Sequence, residues 1–173
     1  LLHWTNALTG GVGSTAESDD WSINAVPLGL GTNVITVIGT NIVAQAAMDM
    51  ISVYQVPAPL VTINSLVDIL LVPHTQLTVN VSGSINGEVH GLLRWTNSLT
   101  GNTGTAMEID NWSISGIQLG LGTNIITVTG TNIVAQSASD SINVYKVPAP
   151  EVTIINPGEV SVVSHIQSSI DLN

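Results

Sequence analysis

The chain contains no cysteine, so no disulfide framework holds it together, and thiol usage says nothing about its redox compartment. Its stability must come from burial alone, for which 173 residues are enough to build one or two domains. Basic side chains are nearly missing as well. Arg94 and Lys146 stand against twelve acidic residues, giving a net charge of -10 and a pI near 4.2. Such a surface repels phosphate backbones, which argues against nucleic acid as a partner. It also leaves trypsin-like proteases only two cleavage positions. The apolar run Ile69-Leu70-Leu71-Val72 falls far short of the roughly 20 residues of a bilayer span, so no membrane-spanning segment is expected. No long helical periodicity competes with the strand patterns described below.

What the chain has is a repeat. Residues 1–63 recur as residues 92–154 at a constant offset of 91, with about two-thirds of positions identical. A period of that length is too long for a solenoid unit and matches one small β-sandwich domain.

Within the central unit, short segments of period-two alternation follow one another, separated by turn residues. Residues 61–64 make a short first strand, A. Leu77, Val79 and Val81 are predicted to point to one face of strand B, with Ser82 to Glu88 forming the loop after it. Strand C runs from Leu92 to Asn97 with Leu93 and Trp95 inward. A Gly-rich turn follows at Thr100 to Gly104, and strand E carries Trp112 and Ile114. Leu119 to Asn132 reads as a tight turn feeding strand F, whose Ile126 and Val128 face the core. Strand G offers Ile142, Val144 and Val147. Seven short strands with frequent turn signals predict an all-β fold of antiparallel two-sheet sandwiches.

These residues carry a resemblance. A Trp followed by Leu-x-x-Gly-x-Asn-x-Ile-x-Val and a closing Asp-x-Ile-x-Val strand resembles bacterial Ig-like repeat domains. Trp21, Leu28, Gly31, Asn33, Ile35 and Val37 match it in the first copy; Trp112, Leu119, Gly122, Asn124, Ile126 and Val128 match it in the second. Such domains are similar to fibronectin type III modules and to accessory modules of secreted carbohydrate enzymes. They occur in tandem in surface adhesins, stalks and fibres. The resemblance therefore implies tandem Ig-like sandwiches of about seven strands in an extracellular or cell-surface protein. It speaks to fold far more than to function. The turn between strands F and G departs from the family's usual Asp-x-x-Gly-Asn, reading Thr-Asn-Ile-Val-Ala-Gln.

The phase of the repeat defines three expected regions. Residues 1–56 form an Ig-like unit that begins at strand C and lacks strands A and B. Residues 57–148 form a complete unit. Residues 149–173 continue the pattern, since 152–173 align with 61–82, and so supply strands A and B. The Val-Pro-Ala-Pro linkers at 56–59 and 147–150 favour stiff, extended geometry, which makes fold-back of the tail onto its own head unfavourable.

Two arrangements follow. In one, the tail enters the head of a second copy: Val152, Ile154, Val160, Val162, Ile166, Ile170 and Leu172 form the donor face, and Trp4, Trp21, Ile23, Ile35 and Val37 line the acceptor groove. Donor-strand addition of this heterologous kind builds an open head-to-tail homopolymer. In the other, the chain is a piece of a longer covalent array, as its start at Leu1 would also allow. It then acts as a stalk, spacer or ligand-binding module of an adhesin or secreted carbohydrate-active enzyme.

Individual side chains add little chemistry. Thr9 to Thr15 is Gly-rich but lacks the Lys and following helix of a phosphate loop, so a hairpin turn is expected there. Glu17, Asp19 and Asp20, matched by Glu108 and Asp110, have no dense Ca²⁺-loop spacing and read as solvated. The four histidines lack metal-ligand spacing. No nucleophile elbow or paired carboxylate setting occurs, so no enzyme and no cofactor are expected. The Trp pair in each copy reads as core packing rather than a sugar platform. Asn80-Val-Ser and Asn111-Trp-Ser fit the N-glycosylation pattern, which a Ser- and Asn-rich chain also produces by chance.

Overall fold

A computed structural model describes every residue except 65–68, 156–161, 163, 164, 166, 167, 172 and 173, and all described side chains but that of Ile69. The described residues are all-β, in twelve strands. The first four are β1 (Leu2–Asn6), β2 (Val12–Thr15), β3 (Gly31–Thr40) and β4 (Ala46–Gln55). They make one antiparallel sheet in the order β2-β1-β3-β4.

Eight strands follow: β5 (Val61–Ile63), β6 (Ile69–Val72), β7 (Thr78–Ile85), β8 (Leu93–Asn97), β9 (Thr103–Ala106), β10 (Asn111–Gln118), β11 (Gly122–Thr131) and β12 (Ser137–Lys146). They form a three-stranded sheet, β10-β7-β5, and a five-stranded sheet, β6-β12-β11-β8-β9. One core joins the two. Val61, Val79, Val81, Trp112, Ile114 and Ile117 from the first sheet meet Val72, Leu93, Ile126, Val128, Ile142 and Val144 from the second. This is an antiparallel β-sandwich, built by the alternation of Val and Ile with Ser, Thr and Asn. All pairings are antiparallel except β6 with β12, which run parallel.

The expected strand A at 61–64 is present as β5, paired with β7, whereas the apolar run at 69–72, which lies outside the expected strands, forms β6 at the edge of the other sheet. The expected loop at 82–88 also begins later. Ser82 to Ile85 continue β7, held on one side by Val61–Ile63 and on the other by β10. Gly83 permits this, since a Cβ there would collide with the Thr62 carbonyl and the Trp112 ring. Leu77 precedes β7 and is exposed, whereas Val79 and Val81 are buried.

The Gly-x-Asn motif has a structural meaning in both copies. Asn97 and Asn124 are fully buried, and Asn97 Nδ2 donates to Asn124 Oδ1 at 2.9 Å and to the Gln118 carbonyl at 2.9 Å. Asn124 Nδ2 donates to the carbonyls of Gly120 and Val144, and its Oδ1 accepts from Gly120 N. This plug ties the turn before β11 to strands β8 and β12. Asn6 and Asn33 repeat it, with Asn6 Nδ2 donating to Asn33 Oδ1 at 2.9 Å. Asn124→Ala strands several buried main-chain groups, each worth about 1–3 kcal/mol. A loss of about 3 kcal/mol of sandwich stability is expected in urea unfolding; a loss under about 1 kcal/mol would refute the plug's role.

Candidate functional site: an open sheet face

The repeat supplies an internal control, because each residue of the first sheet has a counterpart 91 positions later. The order β2-β1-β3-β4 is that of β9-β8-β11-β12 without β6 at the edge. The registers coincide: Trp4 pairs with Val37 as Trp95 does with Val128, and Gly31–Thr40 pairs with Gln55–Ala46 as Gly122–Thr131 does with Lys146–Ser137. What differs is the covering layer. Among the described residues, no counterpart of the three-stranded sheet that closes the second copy lies over the first.

Exposure follows that difference. Trp112 is 1% exposed and its counterpart Trp21 48%; Ile142 is 3% exposed and Ile51 61%. Ile126 and Val128 are fully buried, while Ile35 and Val37 are only half-buried. Residues 20–27 form no strand, although the matching residues 111–118 make β10. The reason is local, since β10 takes its ladder from β7, and no such strand stands beside Trp21. Ala25 nonetheless holds a φ of 58°, close to the 73° of Gly116 at the irregularity of β10. The segment keeps the shape of that bulge before any partner strand is present.

A groove of about 590 Å³ runs over this face, lined by Leu2, Trp21, Val37, Gly39, Asn41 and Asp49 among others. A smaller hollow of about 180 Å³ adjoins it between Trp21, Ile35, Val37, Met50 and Ile51. Of the five acceptor residues expected, Trp21, Ile35 and Val37 line these hollows, and Ile23 is half-buried in the segment after Trp21. Trp4 lies outside these two hollows, over Gly11 and Gly13, half-buried like its counterpart Trp95, which lies over Gly104 and packs against the sandwich core.

Sequence reasoning passed over Ile51, Asp49 and Asn41. The signal for Asp49 was present: it is the one charged residue of β4, it follows the apolar stretch Ala46 to Met48, and Asp140 repeats it. In the sandwich, Asp140 Oδ2 accepts from Ile63 N at 2.8 Å, binding β12 to β5. Asn132 Nδ2 donates to the Pro57 carbonyl at 3.2 Å.

Of the expected donor residues, Val152, Ile154, Val162 and Ile170 are exposed. Val160, Ile166 and Leu172 lie outside the described residues. Their counterparts give a finer register. Val61 and Val79, matching Val152 and Ile170, are buried, as is Val81, matching Leu172. Leu71 and Thr75, matching Val162 and Ile166, are exposed, whereas Val72, matching Val163, is buried.

Glu17 and the other loop acids form no metal-like cluster; among the described residues no three His, Asp or Glu side chains come together as a metal site would require. Among the same residues no helix is long and apolar enough to cross a membrane.

The chain is similar in fold to a solved structure of fibronectin(III)-like modules of CbhA from Clostridium thermocellum, with a TM-score of 0.44 and 9% identity over 84% of this chain and 77% of that one. No protein-family model matches the chain, and no curated protein matches it either.

Proposed function

We propose that the protein is a structural subunit of an extracellular or cell-surface filament, in which residues 149–173 of one copy complete the sandwich begun by residues 1–56 of the next. The observation that carries this reading is the pair of unsatisfied halves within one chain. The first sheet presents an open apolar face, and Val152 and Ile154 stand exposed in a segment that repeats Val61 and Ile63, the residues that help close the same face in the sandwich. Exposed apolar faces and unpaired edges of this kind associate unless covered. Covering one with strands adds main-chain hydrogen bonds and side-chain pockets together.

Each fully buried Val or Ile contributes about 1.5–3 kcal/mol, so several acting together give slow dissociation. The contact is heterologous, and a rigid Pro-Ala-Pro linker between units favours growth into an open chain over closure. The role is mechanical, with no catalytic step and no cofactor.

The test is negative-stain microscopy and light scattering of the refolded chain over a concentration series. Expected are filaments with an axial repeat of about 80 Å, two sandwiches of roughly 40 Å each. A monomer at every concentration would sink the reading and favour a spacer or ligand-binding module, whose open face is filled from elsewhere in a longer chain.

A further inference from the structure

We propose that Asp49 and Asn41 form a two-point polar latch that captures the main chain of a second copy, Asp49 accepting from the N–H of Ile154 and Asn41 donating to the carbonyl of Pro148. This rests on the filament reading and specifies which groups hold the incoming strand. The sandwich supplies both bonds in completed form. Asp140 Oδ2 accepts from Ile63 N, and Asn132 Nδ2 donates to the Pro57 carbonyl. Asn86, in the loop before β8, also holds this lead-in, accepting from Leu60 N and donating to the Ala58 carbonyl, but residues 1–56 contain no counterpart of it. Pro148 and Ile154 are the residues that match Pro57 and Ile63 in the repeat.

The unfilled half is already in place. Asp49 Oδ1 accepts from Met50 N at 2.8 Å, as Asp140 Oδ1 does from Ser141 N at 2.8 Å, so both carboxylates are oriented by their own strand. Asp49 Oδ2, the oxygen that in Asp140 meets the incoming strand, has no hydrogen-bond partner among the described residues. Asn41 is held in the same way. Its Oδ1 accepts from Val43 N and Gln45 N, and its Nδ2 donates to Gln45 Oε1 at 2.9 Å. Asn132 makes the same three bonds and has one Nδ2 hydrogen left for Pro57. Ala44 and Ala135 even share a positive φ, 62° and 63°.

Chemistry favours this division of labour. The Pro-Ala-Pro stretch offers no N–H at 148 or 150, so a donor side chain is the right complement for its carbonyl. Four residues beyond Pro150, Ile154 has an N–H that needs an acceptor once buried. Because both groups are oriented before the partner arrives, little ordering is lost on binding.

The experiment uses a chain carrying Tyr54→Cys and Val162→Cys, in an otherwise cysteine-free background. Their counterparts Tyr145 and Leu71 are neighbours across the β12–β6 pairing, and both are exposed. Oxidation of filaments is expected to give a covalent ladder of oligomers joined at this pair. In the same background Asp49→Ala, and separately Asn41→Asp, raises the subunit dissociation rate about tenfold or more, with the unassembled chain's thermal unfolding unchanged. Asp49→Asn, which keeps an acceptor oxygen, recovers part of the loss. Asp140→Ala does the opposite, lowering the sandwich's melting temperature.

Filaments that form and cross-link normally, with dissociation unaltered by Asp49→Ala and Asn41→Asp, overturn the latch and leave the filament reading standing. Filaments without the cross-link overturn the placement of the strand. No filament from the unsubstituted chain removes both.

Discussion

Val152→Asp is expected to abolish assembly while leaving the isolated chain folded. In the unassembled chain this side chain is 92% exposed, so a carboxylate there costs nothing in folding. Its counterpart Val61 is 4% exposed inside the sandwich core. Seating an Asp at that depth forfeits about 1.5–3 kcal/mol of apolar burial and adds the desolvation of an unpaired charge. The critical concentration for filament growth should rise at least about a hundredfold, read by pelleting and light scattering, with an unchanged circular dichroism spectrum for the monomer. Val61→Asp is the matched control, expected to unfold the sandwich outright. Equal critical concentrations for Val152→Asp and the unsubstituted chain would show that this segment does not seat in the groove.

The second large effect separates two tryptophans that occupy the same position of the repeat. Trp112→Ala removes a fully buried ring that packs against Gly83 and the core, and should cost about 3–5 kcal/mol of stability. Trp21→Ala should change the unassembled chain's stability by less than about 1 kcal/mol, because nearly half of that ring already faces water. Its cost should appear on assembly instead, as a failure to form filaments at concentrations where the unsubstituted chain does. Trp21 also provides an intrinsic signal, since its emission should move to shorter wavelength as the groove fills. An unchanged emission across the assembly transition would be incompatible with burial of that face.

Much of this was legible in the sequence because the repeat doubled every signal. Alternation turned Leu93, Ile126 and Val128 toward the core, and all three are buried; Trp112 and Ile114 of the expected strand E and Ile142 and Val144 of strand G are buried with them, while Trp95, also expected inward, is half-buried. The departures have local causes. Gly83, Ser82 and Ser84 read as loop by composition, yet the close approach of Thr62 and Trp112 makes glycine the residue a strand needs there. Strand A at 61–64 was placed correctly, but β6 was missed, because the four-residue apolar run Ile69-Leu70-Leu71-Val72 has no alternation to mark it as a strand.

Lys146 was unremarkable by pattern, and it is 6% exposed with Nζ reaching the Leu119 carbonyl at 3.4 Å. A lysine at an inward strand position appears as a break in the apolar alternation until the carbonyl above it is known. The groove was legible as an apolar face; its polar contacts were not, because Asp49 and Asn41 acquire meaning only through the partners that Asp140 and Asn132 display.

The parallel pairing of β6 with β12 bears on how such a unit carries load. The polypeptide enters the sandwich at β5 and leaves at the far end of β12, so once the short β5–β7 pairing yields, tension between neighbouring units pulls β6 and β12 past each other lengthwise. Their rungs, together with the Val147 N to Val72 carbonyl bond at 3.0 Å, lie across the direction of pull and must yield together instead of peeling open one at a time. In a filament joined as proposed, the same geometry falls at the seam between subunits, with the Val162 segment of one copy against β4 of the next. The joint between molecules would then resist stretching in the same manner as the interior of each sandwich.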